Sequence, residues 1–555
     1  MMVARRIGLF GLLGLLATSS MATSLAARTP RDREHTQSKI SAADAARLLE
    51  QASFGPTPAE VTKVQELGVA AYLDQQFALP ATGYPGYSYV NHDSNAGCPA
   101  GSSNTCIRDN YSAYLVEAQF FRNAITAPDQ LRQRVAFALQ QIFVASGATI
   151  RDAYGTAQYQ QMLLDDAFGN FRQLLGDVTL NPAMGTFLNM VRSAKSSPST
   201  GAQPNENFAR ELMQLFTLGP NLLNADGSFQ YDPQGNRIPT YTQENVSTLA
   251  RVFTGWTFPT IPGRSPAWGN PRYFLGPMLL FANQHDTSEK KLLNGAVLPA
   301  GQDGVADLNG ALDNIFNHPN VAPFISKQLI QHLVTSNPPA SYVARVSAVF
   351  NDNGAGVRGD LQAVVRAILL DSVARDVRSV DRNFGKLKDP AQFLAQLFRG
   401  AGGASYTDGV YLRGQSSAMW QGVLSHPSVF SFYPPDYPLQ GTLLNAPAFA
   451  IYNATTSLTR ANLVMRLLKG AITADATIPG STGTYFDVNA WSALAGDTST
   501  LVAQINSVYF HGAMTSTLDS VLTTAINSIP STDLVSRARY ALYIALTSAD
   551  FQVQR

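Results

Sequence analysis

Cysteine is almost missing from this chain. Cys98 and Cys106 are the only two in 555 residues, which excludes a four-cysteine iron–sulfur cluster; no C-x-x-C-H haem string exists either. Charge is scarce too. Asp, Glu, Lys and Arg make up 14% of the chain, against about 25% in an average globular protein. The 40 basic and 39 acidic residues nearly cancel, leaving +1. That argues against a general nucleic-acid binder, which needs a basic face. Histidine occurs seven times, never at tight metal-ligand spacing. No G-x-S-x-G surrounds any serine, so the nucleophile elbow of an α/β-hydrolase is absent. A Walker loop and H-E-x-x-H are absent as well. The sequence names no metal and no cofactor.

What is there begins with an address. Arg5 and Arg6 precede the apolar run Ile7 to Leu16, and Ser24-Leu25-Ala26 offers a cleavage site. Residues 1–26 therefore read as a signal peptide, and export to the periplasm, cell surface or medium is expected. The run is too short for a bilayer, which takes about 20 residues. No later segment reaches that length, so no transmembrane segment is expected in the mature chain. Residues 27–40 are polar, mixed in charge, and read as a flexible lead-in. Outside the cytoplasm, Cys98 and Cys106 in the loop AGCPAGSSNTC are most simply a disulfide.

From residue 41 onward the pattern is helical. Hydrophobic residues make up 45%, enough for a large core. Thr57-Pro58-Ala59-Glu60 combines a cap, a first-turn proline and a capping-box glutamate. Leu131, Val135, Leu139 and Ile142 recur at helical spacing, as do Val343, Val346 and Phe350, and Leu361, Val364, Val365, Ile368 and Leu369. Leu534 to Thr547 forms a last helix. A mainly α, multi-helix domain over 41–555 follows. One small β-hairpin is expected where Asp226-Gly227-Ser228 and Gly235-Asn236 flank Phe229-Gln230-Tyr231. A second helical lobe beyond about residue 400 stays open, since no clear linker divides the chain.

Several strings in order resemble one bacterial family. They include Phe54-Gly55-Pro56-Thr57, Ala167-Phe168-Gly169-Asn170-Phe171-Arg172, and Asn205-Glu206-Asn207-Phe208-Ala209-Arg210-Glu211. Thr254-Gly255-Trp256, His285-Asp286-Thr287, His318-Pro319-Asn320 and Phe432-Tyr433-Pro434-Pro435 follow. Together they resemble the family catalogued as domain of unknown function eighteen-hundred. The resemblance implies exported, helical proteins with no accepted activity, whose genes often neighbour an exported sulfatase-like family. Many members carry Trp-His-x-His-Phe where this chain has Ala138-Leu139-Gln140-Gln141-Ile142-Phe143. Histidine-based metal chemistry is therefore not carried over.

The densest polar string is 205–211. On a helix, Phe208, Leu212, Leu215 and Phe216 make an apolar stripe, and Glu206 and Arg210 pair four apart. Glu206 and Glu211 could serve as acid and base with Arg210 as an anion clamp. The rival reading is a structural network tying helices together. His285 and Asp286 would join the site if nearby, with Asn205, Asn207, Trp256 and Lys291 touching the ligand. The loop Ser193 to Gln203 could act as a lid. His332 reads as a hydrogen-bonded helix residue. Asn224 to Asn236 has scattered oxygens but not the EF-hand spacing. Two functions follow as expectations: an envelope hydrolase or lyase on a polysaccharide-like polymer, or a non-catalytic partner of an exported sulfatase-like protein.

Overall fold

Helix starts lie where the caps place them. A computed structural model describes residues 40–376, 383–402 and 405–555. The expected signal peptide and residues 27–39 of the expected lead-in lie outside them. Ser41 caps α1 (Ala42–Ala52) by accepting from the Asp44 amide, and Thr57 caps α2 (Pro58–Leu67) by accepting from the Glu60 amide. The Glu60 carboxylate does not close the expected capping box. It takes the Thr57 hydroxyl at 3.0 Å and the Arg399 guanidinium instead, because a charged pair with a buried cation outweighs a bond to a neutral amide.

The apolar stripes become buried faces. Leu131, Val135, Leu139 and Ile142 of α3 (Gln130–Ile142) are all in the core. Each such side chain stabilises by about 1.5–3 kcal/mol. The same pattern builds α4 (Asn207–Glu211), α5 (Gln243–Val252), α6 (Gly304–Phe316) and α7 (Val321–Leu333). It continues through α8 (Ala340–Asn351), α9 (Leu361–Leu370), α10 (Pro390–Ala401) and α11 (Leu534–Thr547). Helix makes up 54% of the described residues. The strands are two-residue pairs, all antiparallel: β1 (Trp256–Thr257) with β2 (Leu279–Leu280), and β3 (Lys290–Lys291) with β4 (Val297–Leu298). β5 (Lys386–Leu387) pairs with β8 (Val553–Gln554), and β6 (Tyr406–Thr407) with β7 (Thr484–Tyr485). The fold is mainly α.

The expected hairpin is there as single bridges. Leu223 pairs with Phe229, Tyr231 with Arg237, and Asn221 with Pro239, so two turns fold three short legs together. Asp226 and Asp232 cap those turns by accepting from Ser228, Gln234 and Asn236 amides. This is turn chemistry. Cys98 and Cys106 form a disulfide with Cα atoms 5.9 Å apart. No helix of the described residues is long and apolar enough to cross a membrane.

Ile40–Arg555 forms one compact unit, and its main core cluster runs from Ala45 to Phe551, spanning both sides of residue 400. One side of α10 ties it to the first helices. Gln392 Nε2 donates to the Glu50 carbonyl at 3.1 Å and Gln396 Nε2 to the Glu50 carboxylate at 2.8 Å. Arg399 donates to the Gly55 carbonyl at 2.5 Å and to that of Ile125 at 2.9 Å.

His426 sits in this interior with neither ring nitrogen hydrogen-bonded, packed 4.5 Å from the Phe432 ring. Burial pushes its pKa down to about 3. The unfolded chain protonates that ring near the ordinary 6.5. Between pH 6.5 and about 3 the unfolded state thus holds the extra proton, and stability falls as the pH falls. Replacing His426 by Phe should flatten this acid loss in melting curves taken from pH 7 to 4. An unchanged slope would remove His426 as a source and leave the loss to His332 and His511, whose rings burial also holds low.

Candidate functional site

The 205–211 string folds as the spacing dictates, but as a braced surface turn. Arg210 donates to Glu206 at 2.8 Å, and both side chains stay about one-third exposed. Gln243 and Ser247 of α5 also donate to Glu206, at 2.9 and 2.6 Å. These hydroxyl and amide bonds hold the Glu206 carboxyl below its ordinary range, with Arg210 adding to them. Asn205 caps the turn by accepting from the Asn207 amide; both are exposed. Glu211 is half-buried, its Oε2 has no partner, and burial raises its pKa.

His285 lies in a different setting. It is 1% exposed, and the close approach is allowed by Gly255, at φ +90°, and Gly304, where a Cβ would stand 3.0 Å from its Nδ1. Nδ1 lies 3.0 Å from the Thr254 carbonyl, and Nε2 lies 3.0 Å from Asp307 Oδ2. Lys290 donates to the same oxygen at 2.6 Å. Asp286 turns the other way, toward Arg251 at 3.2 Å. Burial opposes its ionisation, but the Ser288 hydroxyl and amide and Arg251 bring its pKa below the ordinary value. Thr254-Gly255-Trp256 and His285-Asp286-Thr287 thus form one interlocked unit. Trp256 is buried in the core and Lys291 is exposed.

The two clusters share α5 without sharing a site. Gln243, Ser247 and Arg251 lie on one face at i, i+4 and i+8; the first two hold Glu206 and the third holds Asp286. Glu206, Arg210 and Glu211 are together, but the sealed His285 does not join them. The Ser193–Gln203 loop, which carries Lys195, borders an open polar recess of about 730 Å³ with Asn205 and Arg192. Among the described residues no three His, Cys, Asp or Glu side chains are grouped to hold a metal.

A better-formed cavity lies elsewhere. It encloses about 360 Å³, within the usual ~300–1,000 Å³ of ligand pockets. One face of α7 lines it: Phe324, Lys327, Gln328, Gln331 and His332, at helical spacing. The opposite face, Ile325, Leu329, Ile330 and Leu333, is core. Facing α7 are Leu215 and Leu218. Leu215 was expected in the apolar stripe, but residues Leu212–Thr217 wind as a π-helix, and Leu215 is only partly buried and lines the cavity. Such turns recur at functional sites. Asn320 fixes this wall by donating to the Leu218 and Asn221 carbonyls and accepting from the Leu223 amide. Gln331 donates to the carbonyls of Ser336 and Pro435, anchoring the loop that brings Phe430 and Tyr433.

The inner end of this cavity is polar. The His332 carbonyl, near the C-terminal end of α7, accepts from Lys386 and from Arg134, each at 2.5 Å, as cations at a helix C-terminus do. Burial lowers the Lys386 amine to about 7, with Arg134 adding to it and Asp389 opposing. The His332 ring is pushed down to about 3 by burial and by the same two cations. Contrary to expectation, that ring makes no hydrogen bond among the described residues. Tyr433 donates to Asp389 at 3.0 Å. Two lining side chains are more than nine-tenths buried yet incomplete: Gln328, 8% exposed, has an unpartnered Nε2, and Gln141, 7% exposed, an unpartnered Oε1. Buried polar atoms are rarely left so without a ligand or water to meet them.

Nothing in the sequence sets these residues together, because they come from five separate segments. One signal was available: Lys327, Gln328, Gln331 and His332 are too polar, and too regularly spaced, for an all-core helix. The sequence pattern of the family described as protein of unknown function (DUF1800) matches residues 47–553, nearly the whole chain. No curated protein and no solved structure matches it.

Proposed function

The chain belongs to the DUF1800 family, and on that premise we propose that it is an exported protein that binds a small, mainly apolar molecule in the α7-lined cavity. The observation that carries this reading is the pair of orphan buried atoms, Gln328 Nε2 and Gln141 Oε1, in a pocket with an apolar wall and a polar inner end. An apolar body gains from burial there, while a polar end relieves atoms that cost about 1–3 kcal/mol each when unpaired. Catalysis by Glu206, Arg210 and Glu211 with His285 and Asp286 has less support. Glu206 is already satisfied by three neighbours and His285 is sealed. The carboxylate turn then serves to brace α4 against α5.

The test fills the pocket. Leu215→Trp places a large ring in the cavity from a partly buried wall position. Titration with a neutral apolar fluorophore such as Nile red should show one site per chain in the natural protein. In the variant, affinity should fall by about tenfold or more while the melting temperature holds. Equal binding by the two proteins places the ligand elsewhere and ends this reading.

A further inference from the structure

Resting on the cavity as the binding site, we propose that its ligand is an amphiphilic monocarboxylate, its carboxylate held by Lys327 and Gln328 and its chain lying along Leu215, Leu218, Phe324 and Phe430. Lys327 and Gln328 are adjacent on the cavity face of α7. Lys327 makes no hydrogen bond or ion pair among the described residues, and the Gln328 amide nitrogen is an orphan donor. An ammonium and an amide N–H that line one cavity, neither hydrogen-bonded among the described residues, can each take one oxygen of a carboxylate.

The surrounding charge has the same sign. The lining carries Arg237, Lys327 and Lys386 against the single carboxylate of Asp436. Asp436 is exposed, and it is the group that opposes the lowering of the Lys327 pKa by burial. A cationic ligand would meet this excess unfavourably. Of the guanidinium groups here, Arg237 makes no hydrogen bond or ion pair among the described residues and adds to the positive charge of the lining. Arg237 is stacked 3.9 Å over the Phe229 ring, and Arg134 is tied to the His332 carbonyl. The apolar lining rewards a hydrocarbon chain or ring on the carboxylate.

The experiment compares three ligands of one chain length by calorimetric titration of the full chain: decanoate, decanol and decylamine. Decanoate should bind one per chain, about tenfold or more tighter than decanol, with decylamine weakest. Lys327→Gln should bring decanoate down to the level of decanol and leave decanol unchanged, and Gln328→Leu should weaken decanoate alone. Should either variant fail to fold, salt serves instead: added chloride weakens decanoate and spares decanol. Decanol or decylamine binding as well as decanoate, or decanoate indifferent to Lys327→Gln and to salt, overturns the carboxylate assignment and leaves the cavity standing. Binding of none of the three overturns both.

Discussion

Replacing Asp307 by Ala should lower the stability of the fold by about 3–5 kcal/mol. Asp307 and Lys290 are fully buried, and the aspartate Oδ2 receives the lysine amine at 2.6 Å while His285 Nε2 stands 3.0 Å away. With the carboxylate gone, the lysine keeps only the Asp286 and Ser288 carbonyls and the more distant Asp286 carboxylate at 3.9 Å. A buried cation stripped of its counter-charge is costly in a way that its removal is not. The double change Asp307→Leu with Lys290→Met should therefore recover much of the loss. Denaturant midpoints followed by circular dichroism read both. A loss below about 1 kcal/mol for Asp307→Ala would show that the unit around His285 is not what fastens α6 to β3.

Gly385→Ala should be nearly as damaging, at about 3 kcal/mol, and should also damage the cavity. Gly385 has φ +106°, and a Cβ there would stand 2.1 Å from the Gln554 carbonyl oxygen. Left-handed backbone costs a β-carbon roughly 1–2 kcal/mol, and overpacking against rigid backbone adds about 1–3. The strand has no room to yield. Gly385 accepts from the Ser336 amide at 3.0 Å, and its own amide donates to Thr335. Lys386 follows directly and donates to His332. The variant should therefore lose both melting temperature and Nile red binding. Full binding at the natural melting temperature would mean that β5 can leave β8 freely.

Much of the fold could be read from the chain in advance, because helix signals are local. Thr57 and Pro58 start α2 where caps require it, and Leu534 to Thr547 is a helix to the residue. The π-helical turn at Leu212–Thr217 could not be read, since the same apolar residues would serve an α-helix. The candidate site was hardest, for a physical reason. Neighbours in sequence point apart: His285 turns to Asp307, and Asp286 to Arg251. A dense polar string such as 205–211 attracts notice, yet its groups satisfy one another. The cavity instead draws Gln141, Leu215, Gln328, Lys386 and Phe430 from places far apart in the chain, where only the polar stripe of α7 gave a hint.

The bonds from α10 to the first helices carry a kinetic meaning. Glu50 meets Lys388, Gln392 and Gln396, and Glu60 meets Arg399, across separations of 338 to 346 residues. Closing so long a loop is slow and brings no reward until it is complete. A growing polypeptide cannot make the first of these ties before residue 388 exists, nor the last before residue 399, so the N-terminal helices wait, with part of their interior surface uncovered, while most of the chain is still being made.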